Sequence, residues 1–299
     1  MQRHERFAHA DRVIAIGFWM NAVLMTMKLL AGWYGDSEAV FADGLESACD
    51  FIAILSVMAA LRVGRQPYDK DHPYGHGKAE HISEIIVALV IFGAGAGILY
   101  HSAHTILYRQ YTEPKFIAVA AAVVTIIIKG LLAGYSMKAG ERIESPAVLA
   151  MAKDHRKDAI SSIATLAGVT GAFFGYQLMD PLAAGITAFF IFYIGYETFR
   201  GAVHHLMDGT LEQDFISSIA RIAEGVKGVE HVHELRCRRS GQYTIIDLKL
   251  DMDPEMTVRR SHAVATEVKR RIFERFPAVG DVMIHVNPHE EEHEDMIRL

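Results

Sequence analysis

Three acidic residues, Asp43, Glu46 and Asp50, fall inside an apolar run from residue 39 to 61, and two more, Asp154 and Asp158, inside a run from 147 to 175. Glu46 and Asp50 are four apart, as are Asp154 and Asp158, so on helices each pair occupies one face. Like charges at that spacing repel. A charged side chain at the centre of a bilayer costs about 2.5–3.5 kcal/mol on insertion scales, so such residues face a bundle interior or a water-filled cavity. Two pairs facing each other would offer about four to six oxygen ligands to one divalent cation. The plainer alternative is that the acids are protonated or paired with Lys129, Lys153 or Arg156. Asp43 reads as a gate, a proton site or a partner for Lys129. Lys129 itself lies well inside an apolar run and needs a counter-charge or water.

A second cluster lies in the loop QPYDKDHPYGHGKAE, residues 66–80. His72 and His76 are four apart and Asp69 precedes His72 by three, a set that suits zinc-like ions. The chain has 16 histidines but two cysteines, Cys49 and Cys237, and neither sits in a C-x-x-C pair. Oxygen and nitrogen must therefore supply most of any metal ligands. His155 points about 100° from Asp154 on a helix, which makes it a supporting residue rather than a ligand. His204 and His205 fall at the end of the last apolar run, and Met20, Met25 and Met27 read as packing or lipid contacts.

Six apolar runs position these groups, near 13–33, 39–61, 82–107, 115–137, 147–175 and 180–200. Each is close to the ~20 residues that a membrane-spanning helix needs, and they are apolar nearly all round rather than striped. Basic residues concentrate in the N-terminal tail (Arg3, Arg6, Arg12), after the second run (Arg62, Arg65, Lys70, Lys78) and after the fourth (Lys138, Arg142). That bias predicts cytoplasmic termini. No cleavable leader is expected, because no small-residue cleavage site follows the first run.

From residue 208 the pattern changes to that of a soluble α/β domain. Helical spacing covers 211–224 and 257–276, with strands at 232–237, 243–252 and 282–286 and a hairpin turn at Ser240-Gly241. The end, HEEEHEDMIRL, reads as a charged mobile tail. The expected domains are 1–207, a six-helix transmembrane domain, and 208–299, a cytoplasmic domain.

The acidic second run, the QP-x-D-x-x-HPYGHGKAE loop, the D-x-x-x-D of the fifth run and the closing V-M-I-H-V-N-P resemble the cation diffusion facilitator family, on its iron/manganese side. The resemblance implies a homodimer with a cytoplasmic ferredoxin-like (αββαβ) domain, and alternating access coupled to proton flow. It places the transport site on Glu46, Asp50, Asp154 and Asp158 and a loop site on Asp69, His72 and His76. It also implies tail metal ligands at Asp247, His262, His285 and His233, and a charge interlock between Lys78 and Asp208. Lys249 and Asn287 stand where zinc-transporting members carry ligands, so one tail site around Asp247, His262 and His285 is expected rather than two metals.

The expected function is proton-coupled efflux of Mn²⁺, then Fe²⁺, then Zn²⁺, because the transport set is all oxygen. The expected location is a bacterial inner membrane or a compartment derived from it. The rival readings are a zinc or iron exporter of the same kind, a channel, and a membrane-anchored metal sensor or scaffold. No nucleotide loop or nucleophile motif points to an enzyme. No catalytic cofactor is expected, and the partners are the metal ion, protons, lipid and a second copy of the chain rather than nucleic acid.

Overall fold

The structure, a computed structural model, describes residues 3–143 and 145–289; the charged end from 290 lies outside the described residues. Six long helices come first: α1 (Arg3–Tyr34), α2 (Glu38–Gly64), α3 (Ala79–Tyr108), α4 (Phe116–Ile143), α5 (Pro146–Phe173) and α6 (Met179–Leu206). Five of them, α1 from His9 onward, α2, α3, α4 and α6, are long and apolar enough to cross a membrane. The expectation of six apolar spans therefore holds for five. Helix α5 has 28 residues, as many as α4, but Lys153, Asp154, Arg156, Lys157 and Asp158 lower its hydropathy.

The helical region is apolar outside and small inside. Trp19, Leu107, Leu131 and Phe189 are exposed, whereas the buried positions are dominated by alanines such as Ala42, Ala118, Ala121, Ala122, Ala152, Ala184 and Ala188. A soluble bundle would invert this pattern. Lipid tolerates the outer surface, and small residues let helix backbones approach closely. Ser145 caps α5 by accepting from the Val148 N–H, with Pro146 in the first turn.

The remaining elements are α7 (Gln213–Glu224), β1 (His231–Ser240), β2 (Tyr243–Met252), α8 (Val258–Arg275) and β3 (Val279–Pro288). The sheet order is β1-β2-β3, antiparallel between β1 and β2 and parallel between β2 and β3. Ile246, Leu248, Leu250 and Met252 pack against Ile219 and Ala223 of α7 and Val268 and Ile272 of α8. Both outer strands extend further than apolar alternation predicts. The ladder continues through Arg238 and Arg239 to the Ser240–Tyr243 pair. Backbone pairing carries it there, and a hydrophobic pattern does not register that. Gly241, at φ 59°, opens the two-residue turn.

The chain forms two compact units. One comprises Met1–Ser56 and Ile86–Phe199, the other Val57–Ile85 and Arg200–Leu299. The carboxylates of α2 and α5 lie in the first unit, and the histidine loop and the α/β region in the second.

Candidate metal sites

Helices α1 and α2 touch at backbone distance. A Cβ on Gly44 would sit 2.8 Å from the Leu29 nitrogen, and one on Gly32 would sit 2.5 Å from the Phe41 nitrogen. This approach presses Lys28 against Asp43. The Lys28 Nζ donates to Asp43 Oδ1 at 3.0 Å, to the Asp43 carbonyl at 3.0 Å and to Ser47 Oγ at 2.6 Å. An ammonium has three donors, and all three are used. Asp43 Oδ2 accepts from Ser162 Oγ of α5 at 3.1 Å. Asp43 is thus the partner of Lys28, not of Lys129, which corrects one of the roles expected for it.

Lys129 of α4 donates to Asp158 Oδ2 of α5 at 2.6 Å and to Asn21 Oδ1 of α1 at 2.7 Å. Its side chain is 4% exposed and that of Asp158 32%. The pairing of an α5 acid with Lys129, the plainer alternative for these residues, is present here. Asp50 and Glu46 of α2 lie within electrostatic reach of Asp158. Glu46 and Asp158 are half-buried and Asp50 is exposed. Asp154 is exposed. His155 is buried, and neither ring nitrogen has a hydrogen-bond partner. A Cβ on Gly17 of α1 would lie 3.2 Å from its Nε2, so the ring packs against α1.

In the loop between α2 and α3, ligand atoms of Asp69, His72 and His76 all lie within 4.8 Å of one another. The His72 and Asp71 N–H groups donate to Asp69 Oδ1 at 2.6 and 2.9 Å. The first of these, above all, holds the Asp69 carboxyl below the usual carboxylate range. Asp69 is therefore ionised at neutral pH and reaches His72 Nδ1 at 3.2 Å and His76 Nε2 at 3.4 Å. Gly75, at φ 78°, makes the turn that brings the two rings together. Among the described residues this is the only His/Cys/Asp/Glu set that tight.

The expected tail ligands do not converge within one chain. Asp247 and His285 project from the sheet face opposite the apolar one, with Asp247 paired to Met283 and His285 to Lys249. His262 is exposed on α8, which packs on the other face. His233 faces Asp251 instead, with Nδ1 3.8 Å from Oδ2.

The family model for the cation efflux transmembrane domain matches residues 14–207, and that for the cation efflux protein cytoplasmic domain matches 211–289. The chain belongs to the cation diffusion facilitator family. It is 35% identical over 295 residues to the manganese efflux system protein MneP of Bacillus subtilis (strain 168), covering 96% of this chain and 99% of that protein. It is 28% identical over 291 residues to MneS, a manganese efflux system protein of the same organism, covering 97% and 100%. It is 30% identical over 279 residues to the magnetosome protein MamB of Magnetospirillum gryphiswaldense (strain DSM 6361 / JCM 21280 / NBRC 15271 / MSR-1), covering 93% and 94%. A solved structure of the MamM CTD in a copper form aligns at 27% identity over 26% of this chain and 76% of that one, with a TM-score of 0.26.

Two features of the transporter escaped the sequence reading. Lys28 carries the same signal as Lys129, a cation inside an apolar run, and that signal could have found it. Asp180 is buried at the start of α6 and accepts from Ser37 Oγ and the Glu38 N–H, each at 2.6 Å. It caps the helix that carries Glu46 and Asp50, a role visible only once α6 and α2 meet.

Lys78 Nζ lies 3.0 Å from Asp208 Oδ1, and Arg238 reaches Asp208 Oδ2 at 3.6 Å. The same unit contains Gly241 N–H donating to His81 Nε2 at 3.3 Å. Lys78→Asp and Asp208→Lys are each expected to lower flux a few-fold, in line with about 0.2–1 kcal/mol for an exposed pair. The double exchange should recover only part of the loss. Asp208 sits at φ 55°, which Asp tolerates better than Lys, and Arg238 would oppose the new lysine. A double-mutant flux cycle with no coupling between the positions would remove the interlock.

Proposed function

We propose that this transporter exports Mn²⁺ in preference to Fe²⁺ and Zn²⁺ from the cytoplasm, in exchange for protons, by alternating access in a homodimer. Glu46, Asp50, Asp154 and Asp158 form the transport site. Helix α5 crosses the membrane with the other five, and residues 1–207 form the transport domain. Residues 208–299 form the cytoplasmic domain, and both termini are cytoplasmic. The observation that carries this reading is that Asp158 of α5 lies within electrostatic reach of Glu46 and Asp50 of α2, in an otherwise apolar bundle. Ionisable residues inside membrane spans mark ion pathways by default.

The charge cycle follows. A divalent ion takes the carboxylates and displaces Lys129 from Asp158. When the site opens to the far side and the ion leaves, protons relieve the repulsion among the acids, and the neutralised site returns. Asp154 joins the ligand set as α5 turns on binding. An oxygen-only set suits harder ions with octahedral preference, and Glu46, one methylene longer than Asp, favours a higher coordination number. The manganese efflux roles in the names of MneP and MneS support the same choice. The loop set Asp69, His72 and His76 and the tail set Asp247, His262 and His285, the latter completed across the dimer, act as regulatory sites. Lys78 and Asp208 link the two regions.

The test is metal uptake into proteoliposomes, with and without a pH gradient, over Mn²⁺, Fe²⁺ and Zn²⁺. Gradient-driven Mn²⁺ flux is expected to exceed Zn²⁺ flux, and Asp154→His to shift preference toward Zn²⁺ by adding an imidazole. Flux indifferent to the gradient would leave a channel, and no flux a sensor. Faster Zn²⁺ than Mn²⁺ transport in the wild type would defeat the oxygen-site argument.

A further inference from the structure

The turn between β1 and β2 is buried: Ser240 and Gly241 both lose their surface. They press on the end of the histidine loop at backbone distance. A Cβ on Gly77 would sit 2.5 Å from the Ser240 carbonyl oxygen, and one on Gly241 would sit 2.7 Å from the Gly77 oxygen. A hydrogen bond ties the turn to the helix that follows the loop. The Gly241 N–H donates at 3.3 Å to Nε2 of His81, in the first turn of α3. The His81 side chain is 5% exposed, and its Nδ1 lies 3.3 Å from Glu84 Oε2.

These two partners fix the proton of the ring. Nε2 accepts from an N–H and therefore carries no hydrogen, so His81 is the neutral tautomer with Nδ1–H donating to Glu84. An imidazolium has donors at both nitrogens and no lone pair for the Gly241 N–H. Glu84 suits the charged ring even better than the neutral one, because charge-assisted hydrogen bonds are the stronger kind. Protonation thus strengthens one contact of His81 and abolishes the other. The surroundings reinforce the choice. His205 of α6 stacks on His81 with ring centroids 5.1 Å apart, and its Nδ1 is buried without a hydrogen-bond partner among the described residues. Glu84 of α3, His204 of α6 and Arg239 of β1 lie within electrostatic reach of His205. Glu80 Oε1 of α3 lies 3.1 Å from where a Gly241 Cβ would stand. Positive charge on this ring pair is drawn to the α3 acids and repelled by Arg239, which precedes the turn.

We propose that His81 is a proton-operated latch: neutral, it holds the β1–β2 turn against the start of α3, and protonated, it lets the turn go. The latch, the turn and the loop all belong to the second compact unit. Acidification would thereby loosen the α/β region at the point where it meets the histidine loop.

Neither flux nor metal binding enters the readout, so failure of the transport reading leaves the latch intact. Hydrogen–deuterium exchange of the full-length chain in detergent is followed at about pH 8 and about pH 5.5, either side of the imidazole range, with rates corrected for the intrinsic pH dependence of exchange. A peptide covering the turn is compared with one from the core of β2. In the wild type, protection at Gly241 is expected to fall about five-fold at the lower pH, the worth of one net hydrogen bond, while the β2 peptide stays protected. His81→Gln offers the Gly241 N–H an uncharged oxygen and should hold the turn equally at both pH values. His205→Phe keeps a ring against His81 and should release the turn as the wild type does. A wild-type turn indifferent to pH overturns the latch without recourse to any variant. So does release that persists in His81→Gln, which would assign it to His76 or another group of the loop. Loss of the pH response in His205→Phe would make His205 the sensor instead, and equal loss of protection in the β2 peptide would mean acid unfolding of the whole region; either result overturns the proposal.

Discussion

Cation flux is expected to fall to background in both Asp50→Ala and Asp158→Ala, while only the second variant loses stability. Each substitution removes a proposed ligand from a site in which a few oxygens hold one ion. Their surroundings differ. Asp50 is exposed, and its removal strands no partner. Asp158 accepts from Lys129, whose side chain is 4% exposed, and its removal leaves that ammonium with Asn21 alone. Breaking a buried pair by deleting one partner costs about 3–5 kcal/mol. Adding Lys129→Met to Asp158→Ala should restore the unfolding temperature and leave flux at background. Flux and thermal unfolding of the four proteins would be measured in the same detergent or lipid. Wild-type flux in Asp50→Ala would remove the transport site. Full stability in Asp158→Ala would mean that the Lys129 contact contributes nothing to the fold.

The parts of this protein that announce themselves in sequence are those that violate their surroundings. Acids four apart inside apolar runs, and an Asp-x-x-His-x-x-x-His loop, need no alignment to be noticed, and the structure gathers Asp69, His72 and His76 within 4.8 Å. The tail elements were legible because Ile246, Leu248 and Leu250 alternate with polar residues on β2, all three buried against α7 and α8. What was not legible depends on partners distant in sequence. Asp43 and Lys28 are 15 residues apart on different helices, and only the close α1–α2 contact at Gly32 and Gly44 decides that they pair. Asp180 caps a helix 142 residues away. The β-bulge at His233, where the β1–β2 register breaks between Val232 and Glu234, is equally hidden, since a register shift is a property of two strands together and leaves the apolar alternation of each intact. The fifth helix shows the cost of reading hydropathy alone. The residues proposed to make it functional are the ones that make it a poor match to a membrane span.

Lys28→Met is expected to be among the most destabilising single changes in the helical region, at about 3–5 kcal/mol for an orphaned partner of a buried pair. All three donors of Lys28 are committed to α2, to the carboxylate and carbonyl of Asp43 and to Ser47. Its removal leaves Asp43, whose side chain is 6% exposed, with one remaining contact, Ser162 of α5. A charge in that position without its cation must be neutralised or drawn toward water, and either outcome loosens α2 from α1 and α5. Replacing both partners with uncharged groups removes the burial penalty together with the attraction, so Lys28→Met/Asp43→Asn should recover most of the loss. The comparison with Lys129 gives this its functional meaning. Lys129 sits on a proposed ligand, and an arriving ion competes with it. Lys28 sits on an acid that already has its cation, so it should not exchange with metal. Mn²⁺ should therefore raise the unfolding temperature of the wild type and of Lys28→Met by the same increment, leaving the deficit between them unchanged. If Mn²⁺ instead abolished the deficit, the ion would be replacing the Lys28 ammonium at Asp43, and Asp43 would belong to the transport site.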